Sequence, residues 1–146
     1  MNQSIENFIR CRRIAVVGAS RNPRKFGHAA LRELGARGYD VVPVHPSAET
    51  IAGIPAVPHL ADLAEPVEAV LIVLPPEKAK EALREAASAG VKDIWLQHGA
   101  ESPEVVSLAA DLGLTPVTGK CILKYAPPVG GFHAVHRTVT RLLGRL

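Results

Sequence analysis

The chain has 146 residues, enough for one domain with a core of its own. Hydrophobic residues make up 47% and charged residues 21%, which rules out a disordered or collagen-like chain, and aromatics at 4% argue against a stacking platform for single-stranded nucleic acid. The net charge of +3 is unevenly spread: residues 1–25 hold six Arg or Lys against Glu6, residues 120–146 hold five and no acid, and the stretch between carries thirteen acids against six bases. Basic ends on an acidic body favour a local anion site over a nucleic-acid surface, with scattered solubilising arginines as the plainer account. Two cysteines, Cys11 and Cys121, make neither a Cys-rich metal site nor a disulfide framework. No apolar run reaches membrane-spanning length, and MNQSIENFIR lacks the apolar core of a signal peptide. The expectation is a cytoplasmic protein without a membrane partner.

Short apolar runs alternate with segments of helical period, the pattern of a parallel α/β sheet. Ile14 to Val17, ending at Gly18, is the first expected strand. Phe26 to Arg37 is a helix with Ala30, Leu31 and Leu34 on one stripe. Val41 to Val44 is the second strand, and Pro43 argues against a fully hydrogen-bonded central place for it. Residues 45–68 are irregular, with four prolines, a short extended piece near Ile54–Val57 and a helical turn or two around His59–Ala64. Ala69 to Leu74 is the third strand, Pro75-Pro76 opens a helix that stops at Gly90, and Ile94 to Leu96 is the fourth strand. Ser102-Pro103-Glu104 caps a helix running to Gly113, Thr115 to Thr118 is the fifth strand, and Phe132 to Leu143 is a terminal helix. Five strands with helical crossovers predict a Rossmann-like, doubly wound domain over 1–146, of order 3-2-1-4-5, with 124–146 as a C-terminal helical extension.

Ligands of such sheets sit where the strands end, so the loops after each strand matter. They are Gly18-Ala19-Ser20-Arg21-Asn22-Pro23, His45-Pro46-Ser47, Pro75-Pro76-Glu77, Gln97-His98-Gly99-Ala100 and Gly119-Lys120-Cys121. In the first, Gly18 permits a tight turn and the next helix aims its dipole over the loop, a geometry that fits a phosphate. The dinucleotide fingerprint G-x-G-x-x-G reads here as G-A-S-R-N-P, so only its first glycine stands, while Ser20 offers a hydroxyl and Arg21, Arg24 and Lys25 supply three cations. An ordinary strand–helix turn with exposed arginines is the competing account. A plain NAD site wants an acid after the second strand; Val44-His45-Pro46 has none, which leaves NADP or another phosphorylated adenosine open.

Taken together, V-V-G-A-S-R-N-P, V-H-P, L-P-P-E and W-L-Q-H-G-A, in this order at successive strand ends, resemble the small CoA-binding domain family. Those proteins look like the N-terminal nucleotide-binding domain of the succinyl-CoA synthetase α subunit standing alone, and the resemblance covers about residues 10–123. It implies coenzyme A or an acyl-CoA as ligand. The pyrophosphate would fall on Gly18, Ala19, Ser20, Arg21, Asn22 and Lys25, the adenosine 3′-phosphate region on His45 and Pro46, and the adenine on Leu74, Pro75 and Pro76. Two positions depart from the family: its V-N-P followed by Lys is Val44-His45-Pro46-Ser47 here, and its D-R-C is Gly119-Lys120-Cys121.

Gln97 and Gly99 are expected to shape the fourth strand's end, with His98 as a neighbour of the ligand. Cys121 reads either as a thiol facing that of CoA or as a small buried hydrophobe. His133 and His136, without a third ligand, make a poor metal site. No carboxylate pair, Ser–His–Asp order or P-loop lysine is visible, so the residues name no catalytic machinery and the chain reads as a binding module. An NADP-dependent oxidoreductase is the alternative, and a second copy or another protein as partner stays open.

Overall fold

The computed structural model describes residues 2–129; the expected terminal helix and the His133–His136 pair lie outside them. Five parallel strands form one sheet of order β2-β1-β5-β6-β7: β1 (Arg13–Val17), β2 (Asp40–Val44), β5 (Ala69–Ile72), β6 (Asp93–Gln97) and β7 (Val117–Lys120). Between β2 and β5, β3 (Thr50–Ile51) and β4 (Ile54–Pro55) make a small antiparallel hairpin, followed by a 3-10 turn at Leu60–Asp62. Residues of each central strand alternate between two apolar layers, as period 2 requires of a sheet covered on both faces. Ile14, Val16, Leu71 and Trp95 point to one layer, with α1 (Gln3–Arg10) and α2 (Phe26–Ala36); Ala15, Val17, Ile72 and Leu96 point to the other, with α3 (Pro76–Ser88) and α4 (Pro103–Asp111).

The doubly wound expectation is met, and winding reverses at β1. The extended piece ending at Val57 bridges Val44 in parallel on the outer side of β2. Among the five full strands, Ala69–Ile72 stands beside β1 rather than beside β2. Pro55 and Pro58 keep the outer piece from growing into a strand of its own. Pro43 fits because β2 lies at the border of the five-stranded sheet. Its carbonyl turns outward to accept from the Val57 N–H at 3.2 Å, so the donor it lacks faces away from β1.

Two strands differ from their expected bounds by two residues. The third strand stops at Ile72 instead of Leu74: the Val73 N–H makes a last bond to the Val17 carbonyl at 2.8 Å, and Leu74 leads into the Pro75-Pro76 helix start. The last strand is Val117–Lys120 instead of Thr115–Thr118: Pro116 has no N–H to give, and a register shift opposite Trp95–Gln97 carries Lys120 into the ladder. The sequence reading also missed α1. The Asn2 side chain caps it by accepting from the Ile5 N–H at 2.8 Å, and Ile5 and Phe8 are buried. The Phe8 ring meets Trp95 edge-on with centroids 5.3 Å apart, and the Tyr39 hydroxyl donates to the Ile9 carbonyl at 3.0 Å. Past β7, Arg37 donates to the Leu123 and Ala126 carbonyls, fastening this stretch to the end of α2.

Phe8→Ala should lower unfolding free energy by about 3–5 kcal/mol, the range for emptying a buried aromatic site. Urea titration measures it, and a change below about 1 kcal/mol would mean that α1 is not part of the core.

Candidate functional site at the carboxyl edge of the sheet

The chain leaves β1 for β2 on one side and returns to β5 on the other, so the winding reverses between the ends of β1 and β5, the place where ligands of such sheets sit. Gly18 sits there at φ +98°, where a side chain is strained, and a Cβ on it would fall on the Val73 carbonyl. A Cβ on Gly27, in the first turn of α2, would fall in turn on the Gly18 carbonyl. The helix therefore starts in direct contact with the loop. Gly27 does the close-packing work of the missing third fingerprint glycine, displaced along the chain where the motif could not show it.

Next to Gly27, His28 is buried, and its Nδ1 lies 2.9 Å from the Ser20 carbonyl oxygen. The Ser20 hydroxyl accepts from the Asn22 N–H at 3.1 Å, which leaves its proton free to donate outward. Asn22 is occupied by the turn itself: its side-chain oxygen accepts from the Arg24 N–H and its carbonyl from the Lys25 N–H, both at 3.0 Å. No side chain caps α2 and no acid stands in its first turn. Ala19 is buried, while Arg21, Arg24 and Lys25 are exposed and form no ion pair with the described residues. An uncapped helix start, a free hydroxyl and unneutralised cations together make a surface for an anion.

At the end of β2, His45 is half-buried and Pro46 exposed. His45 Nδ1 accepts from the Ser47 N–H at 3.1 Å and the Ala48 N–H at 2.9 Å, so the ring shapes the loop and carries its proton on Nε2. Between the ends of β5 and β6 lies a groove of about 240 Å³, lined by Val73, Leu74, Pro75 and Gln97–Ala100. Val73 joins it to the Gly18 loop. Pro76, as the first residue of α3, does not line it. Gln97 is buried, and its side-chain oxygen accepts from the Ile122 N–H at 3.1 Å, so it ties β6 to the chain after β7. Gly99 turns the chain at φ +101°. His98 is exposed, with Nδ1 3.8 Å from Glu101, whose other carboxylate oxygen accepts from the Gly99 N–H. Two roomier hollows, of about 390 and 300 Å³, lie between α3 and α4 and between α3 and the Leu60–Asp62 turn, and neither is lined by a strand residue.

Cys121 follows β7 and is half-buried. It shares the carboxyl edge with Gly18, but β7 is three strand spacings from β1, or about 14 Å. The Lys120 ammonium lies 5.8 Å above the centre of the Tyr125 ring, and its carbonyl accepts from the Trp95 indole at 2.9 Å. Cys11 is the buried cysteine, its sulfur 3.4 Å from the Asn7 carbonyl and 3.7 Å from an Asp93 oxygen. Burial, reinforced by the Asp93 and Glu68 charges, pushes its thiol up to about 12. No cluster of metal-binding side chains occurs among the described residues.

A family model described as a CoA binding domain matches residues 12–127. The chain is 27% identical over 113 residues to YneT, an uncharacterized protein of Bacillus subtilis, covering 77% of this chain and 84% of that one. It is also 27% identical over 129 residues to the alpha subunit of acetate–CoA ligase (ADP-forming) II of Pyrococcus furiosus, covering 81% of this chain but only 28% of that subunit. Among solved structures, a conserved hypothetical protein of Pyrococcus furiosus superposes with a TM-score of 0.74 at 36% identity, over 77% of this chain and 97% of the other.

Iodoacetamide at pH 8 should leave Cys11 unmodified in the folded protein and label it only after unfolding, because the folded thiol holds its proton up to about 12. Peptide mass mapping reads the outcome; rapid labelling of Cys11 under native conditions would contradict the burial argument.

Proposed function

The chain belongs to the CoA binding domain family, and on that premise we propose that it binds coenzyme A across the carboxyl edge of its sheet. The pyrophosphate lies over the Gly18–Lys25 loop, and the adenine end occupies the groove between Leu74–Pro75 and Gln97–Ala100. The observation that carries this reading is the loop itself. It is pressed onto the first turn of a helix that has neither a capping side chain nor an acid, and three cations beside it have no carboxylate partner among the described residues. Gly18 and Ala19 contribute backbone, Ser20 its hydroxyl, Arg21 and Lys25 charge, and Asn22 holds the turn. His45 and Pro46 flank the adenosine 3′-phosphate. Ser47 stands where the family has a lysine, so the cations of the first loop take over that charge. In this reading the residues of the loop and groove bind and orient the ligand; the chain spans 28% of the length of the ligase subunit it resembles.

The NADP reading draws on the same feature, the absence of an acid at the end of β2. Calorimetric titration separates the two. CoA should bind more tightly than dephospho-CoA and more tightly than NADPH; tighter NADPH binding would replace the proposal, and equal affinities for CoA and dephospho-CoA would remove 3′-phosphate recognition from it. Two like charges ~4 Å apart repel by about 4 kcal/mol at an effective dielectric near 20. Ser20→Asp should therefore weaken CoA binding at least ~tenfold with little change in the unfolding midpoint. Unchanged affinity in a folded variant would move the site elsewhere.

A further inference from the structure

We infer that His28 is a positioning residue for the anion loop, holding the Ser20–Arg21 peptide so that the Arg21 N–H faces the ligand. This rests on the reading that the loop takes the pyrophosphate of CoA, and it names a residue that does not touch the ligand. His28 is only 9% exposed, and a buried imidazole needs a partner. Its partner is the Ser20 carbonyl oxygen, 2.9 Å from Nδ1. A carbonyl only accepts, so Nδ1 carries the proton, and this bond selects the tautomer.

The consequence follows from peptide geometry. The C=O and N–H of a trans peptide point in opposite directions, and no cis bond occurs among the described residues. With the Ser20 carbonyl drawn toward the buried ring on α2, the Arg21 N–H is turned to the exposed side, where Arg21 and Asn22 lie. The N–H groups of Asn22, Arg24 and Lys25 are all spent within the turn. That of Arg21 has no partner among the described residues and is one of the loop donors left for a phosphate oxygen. Gly27 rests against the Gly18–Ala19 peptide and His28 bonds the Ser20 carbonyl, so two consecutive residues of α2 fix two peptides of the loop on either side of the Ala19–Ser20 peptide. The donor is oriented before any ligand arrives, which spares binding the cost of ordering it.

The test compares wild type with His28→Phe, which keeps ring volume and removes the donor, and His28→Asn, whose amide nitrogen can occupy the Nδ1 position. Each is titrated calorimetrically with CoA and, separately, with inorganic pyrophosphate, and long-range ¹⁵N–¹H spectra of the wild-type imidazole report which nitrogen is protonated. The expected result is a proton on Nδ1, about tenfold weaker binding of both ligands by His28→Phe, as for the loss of one hydrogen bond, and recovery of most of it in His28→Asn. A neutral ring protonated on Nε2, or wild-type affinity for both ligands in His28→Phe, overturns the inference, as does a folded His28→Asn that fails to recover. If His28→Phe does not fold, the imidazole spectrum and the Asn variant still decide. Pyrophosphate binding that follows the variants while CoA fails to bind wild type refutes the CoA reading alone. CoA binding that ignores them refutes the role of His28 alone. Failure of both ligands to bind wild type overturns both.

Discussion

Everything at the carboxyl edge depends on one close approach of backbone to backbone. Gly27 brings the first turn of α2 against the Gly18 carbonyl, and Gly18 lies against the Val73 carbonyl at the end of β5. A Cβ at either glycine would occupy space already filled by main-chain atoms, which cannot swing aside as a side-chain tip can. This contact sets the start of α2 over the loop, gives the loop its turn at positive φ, and makes the loop continuous with the groove beyond Val73. The site is thus a product of the crossover from β1 to β2, built by the same packing that closes the core.

Charge completes what packing begins. At the opposite edge of the sheet Arg13 lies 3.1 Å from Asp40, and the Glu68 carboxylate is held by the Arg12 and Arg13 backbone N–H groups. At the carboxyl edge Arg21, Arg24 and Lys25 have no such partners among the described residues. Their exposure means salt screens them, so they attract and orient an anion more than they stabilise the fold. In the proposed reading the specific contacts fall to the less exposed groups, the Ser20 hydroxyl and the backbone donors, whose directions neighbouring bonds already fix.

The sheet was legible because its strands are continuous apolar runs bounded by Gly and Pro, a pattern that depends on a few adjacent residues. What depends on distant partners was not. Helix α1 is eight residues long and is held by partners distant in sequence, Tyr39 and Trp95, the latter 87 positions after Phe8. The displacement of the last strand to Val117–Lys120 comes from its pairing with β6, which Thr115–Thr118 taken alone cannot reveal. Within the candidate site, Gly18 and Ser20 were readable from the broken fingerprint. Gly27 and His28 were not, since their importance lies in atoms they meet only after folding. The only local signal was a glycine followed by a histidine at the start of a helix whose first turn carries no acid. Gln97 and His45 were named for their place at strand ends, and both prove to secure neighbouring backbone with their side chains.

The most direct measurement of the central claim is backbone amide chemical-shift mapping of the ¹⁵N-labelled protein during addition of CoA. If the carboxyl edge binds CoA, saturable shifts will concentrate at residues 18–25, at 45–48 and around the groove formed by 73–75 and 97–100, with the outer faces of α3 and α4 unmoved. Shifts confined to the hollows lined by Lys80, Arg84 and Asp111, or none at saturating CoA, would contradict it.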